Sequence, residues 1–164
     1  MAYPAAAGQG LYDTSTTQVH ELGAVHSFKN SDGTMTLARY VSNGAGATLA
    51  AGKVVAWAGG EGEIGGVAAT NLAPAQVAGG LAASCADGGF AWVIFRGKQT
   101  NLSAGTSTAS SSGDRVVAYG AGLAQVAAAT YNSTAANKWE VCGLLKAGDA
   151  LAAGASNTVY WIWK

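Results

Sequence analysis

Charge is scarce in this sequence. Nine Lys and Arg residues balance nine Asp and Glu residues, so only 11% of the chain is charged and the formal net charge is zero. The charges are scattered singly, and no basic stripe exists that could neutralise a run of phosphates, so we expect no nucleic-acid partner. A surface this poor in charge consists of small and polar residues or is covered by partner molecules.

Membrane, targeting and disulfide features are missing as well. No stretch approaches eighteen consecutive apolar residues, and the N-terminus has neither a basic nor an apolar signal region, so we expect no membrane partner. The two cysteines, Cys85 and Cys142, are too few for a disulfide scaffold and lack the paired spacing of a zinc site. We predict that both are buried free thiols.

Motifs for catalysis or cofactor binding are also lacking. His20 and His26 superficially resemble the zinc-protease motif, but on a helix they would diverge by about 240° and on a strand they would lie about 20 Å apart. The glycine-rich segments lack a P-loop lysine, and Glu61 and Glu63, the only close acidic pair, lie on a glycine-rich tip. We therefore expect no enzyme activity, no catalytic residue, no cofactor and no metal, although a hydrolase with sequence-distant residues stays open.

What the chain does contain is glycine, alanine and aromatic residues. Twenty-four glycines recur every few residues, and each would cost the interior of a helix roughly 1 kcal/mol, so strands and turns suit the pattern better. Five Trp, six Tyr and three Phe indicate a packed core and not a disordered chain. These features predict an all-β fold.

The first part of the chain divides into an arm and a hairpin. Residues 1–17 have no hydrophobic period and contain Tyr3, Leu11 and Tyr12 as isolated apolar anchors. This pattern predicts an extended N-terminal arm that is held by its own domain or by a neighbouring chain. Residues 18–42 contain two β-forming runs around Asp32 and Gly33, which predict a tight hairpin.

The rest of the chain contains an internal sequence repeat. Residues 52–57 (Gly-Lys-Val-Val-Ala-Trp) return at 114–119 after Gly113, residues 77–81 return at 141–145, and residues 90–95 return at 158–163. We predict a single β-rich domain over 18–164, with similar units at 43–102 and 114–164 joined by a Ser-rich loop at 103–113. The expected fold is a compact antiparallel β-barrel or sandwich-like body with the N-terminal arm attached.

The aromatic residues allow more than one interpretation. The last strand has no polar face, so it is either a central strand of the barrel wall or a seam between subunits. The tryptophans Trp57, Trp92, Trp139, Trp161 and Trp163 could also stack sugars. Most of them are more simply explained as core residues, because Trp57 and Trp92 lie at positions where the second unit has Tyr119 and Tyr160.

Several short motifs resemble a known family. They are residues 20–23 (His-Glu-Leu-Gly) before a hairpin, 50–55 (Ala-Ala-Gly-Lys-Val-Val), 89–97 (Gly-Phe-Ala-Trp-Val-Ile-Phe-Arg-Gly), 113–117 (Gly-Asp-Arg-Val-Val) and a closing Val-x-Gly-Leu with an apolar strand. Over residues 18–164 the chain resembles the capsid decoration, or cement, proteins of tailed bacteriophages. The resemblance implies a homotrimer on the exterior of the virion capsid, assembled in the host cytoplasm, that stabilises contacts between major capsid protein subunits and has no catalytic residues.

The family has no sharp functional motif, so the interface residues are predicted from this sequence alone. We predict that the arm and the terminal strand make the contacts with partners, through Tyr3, Leu11, Tyr12, Trp161 and Trp163. The alternative function is a carbohydrate-binding module on a phage tail or cell surface, which requires solvent-exposed tryptophans.

Overall fold

The computed structural model describes residues 8–67, 77–104, 115–119, 123–126, 143–145 and 156–162. All ten regular elements in these ranges are strands, which confirms the predicted all-β class. They are β1 (Val25–Lys29), β2 (Met35–Asn43), β3 (Val54–Trp57), β4 (Glu63–Val67), β5 (Val77–Leu81), β6 (Phe90–Ser103), β7 (Arg115–Tyr119), β8 (Leu123–Val126), β9 (Gly143–Leu145) and β10 (Ser156–Ile162). Within the described ranges, no helix has the length and apolar character to cross a membrane.

The strands form one mixed sheet that partly closes on itself. Its order is β1-β2-β4-β3-β5-β6-β10-β9-β7-β8, and β2 also pairs with β6. The strands β2, β4, β3, β5 and β6 therefore follow one another round a partial ring. The expectation of a purely antiparallel sheet is wrong at one contact, because β2 and β4 pair in parallel at the end of β2.

β1 and β2 form a hairpin in the segment where the sequence predicts one. β1 pairs with β2 from Lys29 opposite Met35 to Val25 opposite Arg39, and Gly33 in the turn has a φ of +83°. Glycine adopts such a φ without strain, as the Asp-Gly pair predicts. β1 begins only at Val25 because the chain reverses before it, at Gly23 with a φ of +82°.

Apolar side chains pack on both faces of the ring strands. The inner core takes residues from every ring strand: Val41, Val55, Ile64, Ala78, Leu81, Ala91 and Val93, with Leu49 and Cys85. The outer core contains Tyr40, Val54, Trp92, Ile94, Leu102, Val159 and Trp161 among others. Because neighbouring residues of β6 point to opposite faces, its run of four fully buried residues from 91 to 94 fills both cores.

The described part of the arm lies against the chain's own sheet. Leu11 is only 6% exposed and belongs to the outer core. The backbone of Ser15 pairs with that of Phe90 through two N–H···O bonds of 3.0 and 2.8 Å. Residues 8–17 are therefore held by their own domain, while residues 1–7, which include Tyr3, lie outside the described ranges.

The order of the strands is similar on the two sides of the β6–β10 pair. Outward from β6 lie β5, β3 and β4, and outward from β10 lie β9, β7 and β8. The sequence repeat matches β3 with β7, β5 with β9 and β6 with β10, which are the strands at equal distances from that pair. Much of the second unit and of the Ser-rich loop is outside the described residues, so the division into two units stays a prediction.

Candidate functional site

Of the five predicted interface residues, the structure leaves Tyr12 exposed. Its side chain is 48% exposed, and its hydroxyl lies 3.4 Å from the hydroxyl of Thr100 on β6. Leu11 and Trp161 are buried in the outer core of the chain itself, and Tyr3 and Trp163 are not among the described residues. Among the three predicted interface residues that the structure describes, Tyr12 is therefore the one whose side chain is open to a partner.

Trp161 is held inside the fold by a buried hydrogen bond. It is 2% exposed, and its indole Nε1–H donates to Oε1 of Gln99 at 2.7 Å. Gln99 is fully buried and donates in turn to Oδ1 of Asn101 at 2.9 Å. Since β10 lies between β6 and β9, Trp161 occupies a central strand.

The other described tryptophans are not sugar-stacking platforms either. Trp92 is fully buried, and Trp57 is half-buried at the end of β3 against the inner core. Trp139 lies outside the described ranges. A carbohydrate-binding role, which needs exposed tryptophans, gains no support from the three that are described.

The two histidines lie together, which overturns the prediction that about 20 Å separates them on one strand. Their ring centroids are 4.9 Å apart, because the turn at Gly23 brings His20 back over β1. Each ring is also 5.2 Å from the ring of Trp92. Burial and the neighbouring His26 lower the pKa of His20, so the uncharged imidazole is favoured in the fold.

This cluster of His20, His26 and Trp92 contains three buried ring nitrogens that have no hydrogen-bond partner: Nε2 of His20, Nδ1 of His26 and Nε1 of Trp92. Within the described part of the chain, no three His, Cys, Asp or Glu residues are grouped so that they could hold a metal ion. Because the pKa of His20 is lowered in this cluster, protonation of His20 is expected to destabilise the fold.

An arginine side chain points into the partial ring. Arg39 on β2 points to the same face as Val41, toward the inner core, beside Trp57 and Phe95. Its guanidinium carbon is 5.6 Å from the Trp57 ring centroid and 5.4 Å from that of Phe95. Nη1 donates to Oε2 of Glu61 at 2.8 Å, whereas Nε–H is buried without an acceptor. We call these four residues the Arg39 site.

Sequence reasoning did not single out Arg39, although a signal was present. On β2, Arg39 shares a face with Leu37 and Val41, so a charged residue lies among apolar residues on that face. Such a position needs either a charge partner or an aromatic contact. The structure supplies both, from β3, from β6 and from the glycine-rich turn that carries Glu61.

Asn43, the last residue of β2, is 1% exposed. Its side-chain amide donates to the carbonyl oxygens of Ala47, Cys85 and Ala86 at 2.9 to 3.0 Å. Cys85 is a buried free thiol, as predicted, and burial raises its pKa. Cys142 falls outside the described ranges.

A second ion pair joins the hairpin turn to β6. Lys98 contacts Asp32, and the hydrogen bonds from Lys98 and Thr34 hold the pKa of Asp32 well below its usual range. Lys98 also lies directly across from Tyr160 of β10. The hairpin, β6 and β10 are thereby tied together near the exposed Tyr12 surface.

No protein-family model and no curated protein matches this chain. Among solved structures, it is similar to the N base of head fiber protein gp8.5 of bacteriophage phi29. The TM-score is 0.51 at 18% sequence identity, and the match covers 78% of this chain and 95% of the other. At that identity the likeness shows a shared fold.

Proposed function

We propose that this chain is a structural protein of a phage head, which binds the outer surface of the capsid as a decoration protein and catalyses no reaction. The observation that carries the proposal is the fold shared with the phi29 head fiber base over 95% of that protein's chain. In this role it stabilises contacts between major capsid protein subunits on the exterior of the virion, after assembly in the host cytoplasm.

The packing of the sheet suits such a role. With an apolar core on each face of β6, the body is a rigid unit that transmits force between its attachment points. A homotrimer presents three such units, so modest contacts add up through effective concentration, and a standard interface of roughly 800 Å² per partner is sufficient. The proposed contact with the capsid is the exposed surface around Tyr12 and Thr100.

We further propose that the body consists of two similar units in a barrel-like arrangement. The matching strand order on the two sides of the β6–β10 pair supports this organisation. Beside the first unit, the hairpin strand β2 lies between β4 and β6. In the second unit the latter half of β6 takes the corresponding place beside β10, since residues 96–103 pair with β10.

The proposal is tested by binding to particles. The purified protein is expected to be a trimer by light scattering and to add regularly spaced density to expanded capsids that lack it. A Tyr12→Ala variant should bind more weakly, and Tyr12→Phe, which keeps the ring, serves as its control. A folded protein that adds no density to such capsids would contradict the proposal.

A further inference from the structure

We propose that the Arg39 site is a receptor for a carboxylate of a partner protein, and that Glu61 is its resident, exchangeable occupant. The inference rests on the proposed function for the source of that carboxylate, an acidic side chain on the particle surface. The chemistry of the site itself is argued from its four residues alone.

The arginine is positioned independently of Glu61. Trp57 and Phe95 each place a ring face within cation–π distance of the guanidinium, and each such contact contributes about 0.5–1 kcal/mol at a partly exposed site. These rings come from β3 and β6, which are fixed by the inner core. The guanidinium therefore keeps its place when its charge partner leaves.

Glu61, in contrast, is weakly held. Its side chain is 75% exposed and contacts Arg39 through a single oxygen at 2.8 Å. It lies in the turn between β3 and β4 among Gly59, Gly60 and Gly62, a backbone that moves at low cost. An exposed ion pair of this kind contributes about 0.2–1 kcal/mol, which an incoming ligand can readily offset.

The site also has hydrogen-bonding capacity that Glu61 does not use. Nε–H of Arg39 is buried without an acceptor, and a buried donor left unpaired costs about 1–3 kcal/mol. A carboxylate that replaces Glu61 and reaches the covered Nε–Nη edge can accept two parallel N–H bonds, the geometry that arginine favours. The ligand therefore gains a bond that the resident glutamate lacks.

A carboxylate fits the site better than a phosphate. Among the described residues, the site supplies a single cation, the Arg39 guanidinium. One guanidinium balances the charge of a carboxylate, whereas a doubly charged phosphate would keep an unbalanced charge beside the two aromatic rings. The chain also lacks the clustered cations that a nucleic acid would require.

The test uses the Nε–H signal of Arg39 in ¹⁵N-labelled protein, assigned by its loss in Arg39→Gln. Acetate is the probe, and it should shift this signal saturably, with half-saturation two- to fivefold lower in Glu61→Gln, which removes the occupant. Inorganic phosphate should bind more weakly than acetate. The matched control is Arg96→Gln, which removes an exposed charge from β6 and should leave the titration unchanged.

The outcomes separate this inference from the proposed function. A titration that is not saturable in Glu61→Gln, or tighter binding of phosphate than of acetate, overturns the carboxylate receptor. If Arg39→Gln fails to fold, Arg39→Lys retains the charge without the fork and should weaken acetate binding severalfold. On capsids, Arg39→Lys should bind more weakly than Arg96→Lys. Equal binding of the two variants overturns the site as a contact, whereas absence of binding by wild type overturns only the proposed function.

Discussion

Replacing Trp161 with phenylalanine distinguishes a core strand from a seam between subunits. If Trp161 holds β10 within the fold, Trp161→Phe should lower the free energy of unfolding of the folded chain itself. If its role lay in contacts with another subunit, the substitution would weaken assembly and leave the stability of the chain nearly unchanged. The buried bond to Gln99 leads us to expect the first result.

The size of the loss follows from two contributions. Removal of the indole N–H leaves the buried Gln99 Oε1 without this donor, which costs about 1–3 kcal/mol. The smaller ring leaves unfilled space, which costs about another 1–2 kcal/mol when scaled from the 3–5 kcal/mol of a full truncation to alanine. We therefore expect a loss of about 2–5 kcal/mol, and with a urea dependence near 2 kcal/mol per molar the midpoint falls by about 1–2.5 M.

The assay is urea unfolding followed by far-ultraviolet circular dichroism at several protein concentrations. Trp57→Phe is the matched control, because Trp57 is half-buried, and it should cost about 1 kcal/mol or less. A cycle with Gln99→Leu should show a coupling energy of about 0.5–3 kcal/mol between the two side chains. An unchanged midpoint in Trp161→Phe, with loss of the oligomer, would refute the reasoning.

Three further predictions concern the histidine pair, a glycine and a thiol. The pKa of His20 is lowered in the fold, so its neutral form stabilises the folded state. This contribution is complete above about pH 6.5 and is lost as the pH falls below that value. The urea midpoints at pH 7.5 and pH 5.5 should therefore differ less in His20→Asn than in wild type. Gly97→Ala should destabilise by about 2–5 kcal/mol, because φ is +90° and a Cβ would meet the carbonyl oxygen of Met35; similar thermal midpoints for the variant and wild type would count against this packing. In a Cys142→Ser background, Cys85 should react with a disulfide reagent only as fast as the protein unfolds, because it is buried with a raised pKa, and rapid labelling of the folded protein would contradict this.

The hairpin and the strand positions were within reach of sequence reasoning because their signals are local. The Asp32–Gly33 turn determines its own backbone geometry, and the alternation along β2 separates Thr36, Ala38 and Tyr40, all fully buried, from the opposite face. Core membership of Trp92 follows from its place in an apolar strand. In each case the residues that decide the outcome are neighbours in sequence.

The sites could not be predicted because they depend on contacts between distant segments. The meeting of His20 with Trp92 requires the reversal at Gly23, whose glycine signals a turn without showing where the chain returns. The Arg39 site joins three strands and a turn through pairings that no local pattern specifies. The apolar residues of the arm and of β10 were recognised, but only the folded register shows that Leu11 and Trp161 cover the chain's own core.

The course of β6 explains why a single strand carries so much of the apolar sequence. The first half of β6 pairs with β2 and β5, and each of its two faces is covered by one of the two cores. Neither face therefore carries polar residues. The second half of β6 turns toward β10 after a register shift opposite Leu37 and Ala38. Gly97 lies at this change of direction, where only a residue without a side chain allows the strand to pass so close to the backbone of Met35. β6 pairs with β2 and β5 along its first half and with β10 along its second half, so it is longer than either group of pairings requires. Gly97 at the bend between the halves allows each half to keep its own register with its neighbours.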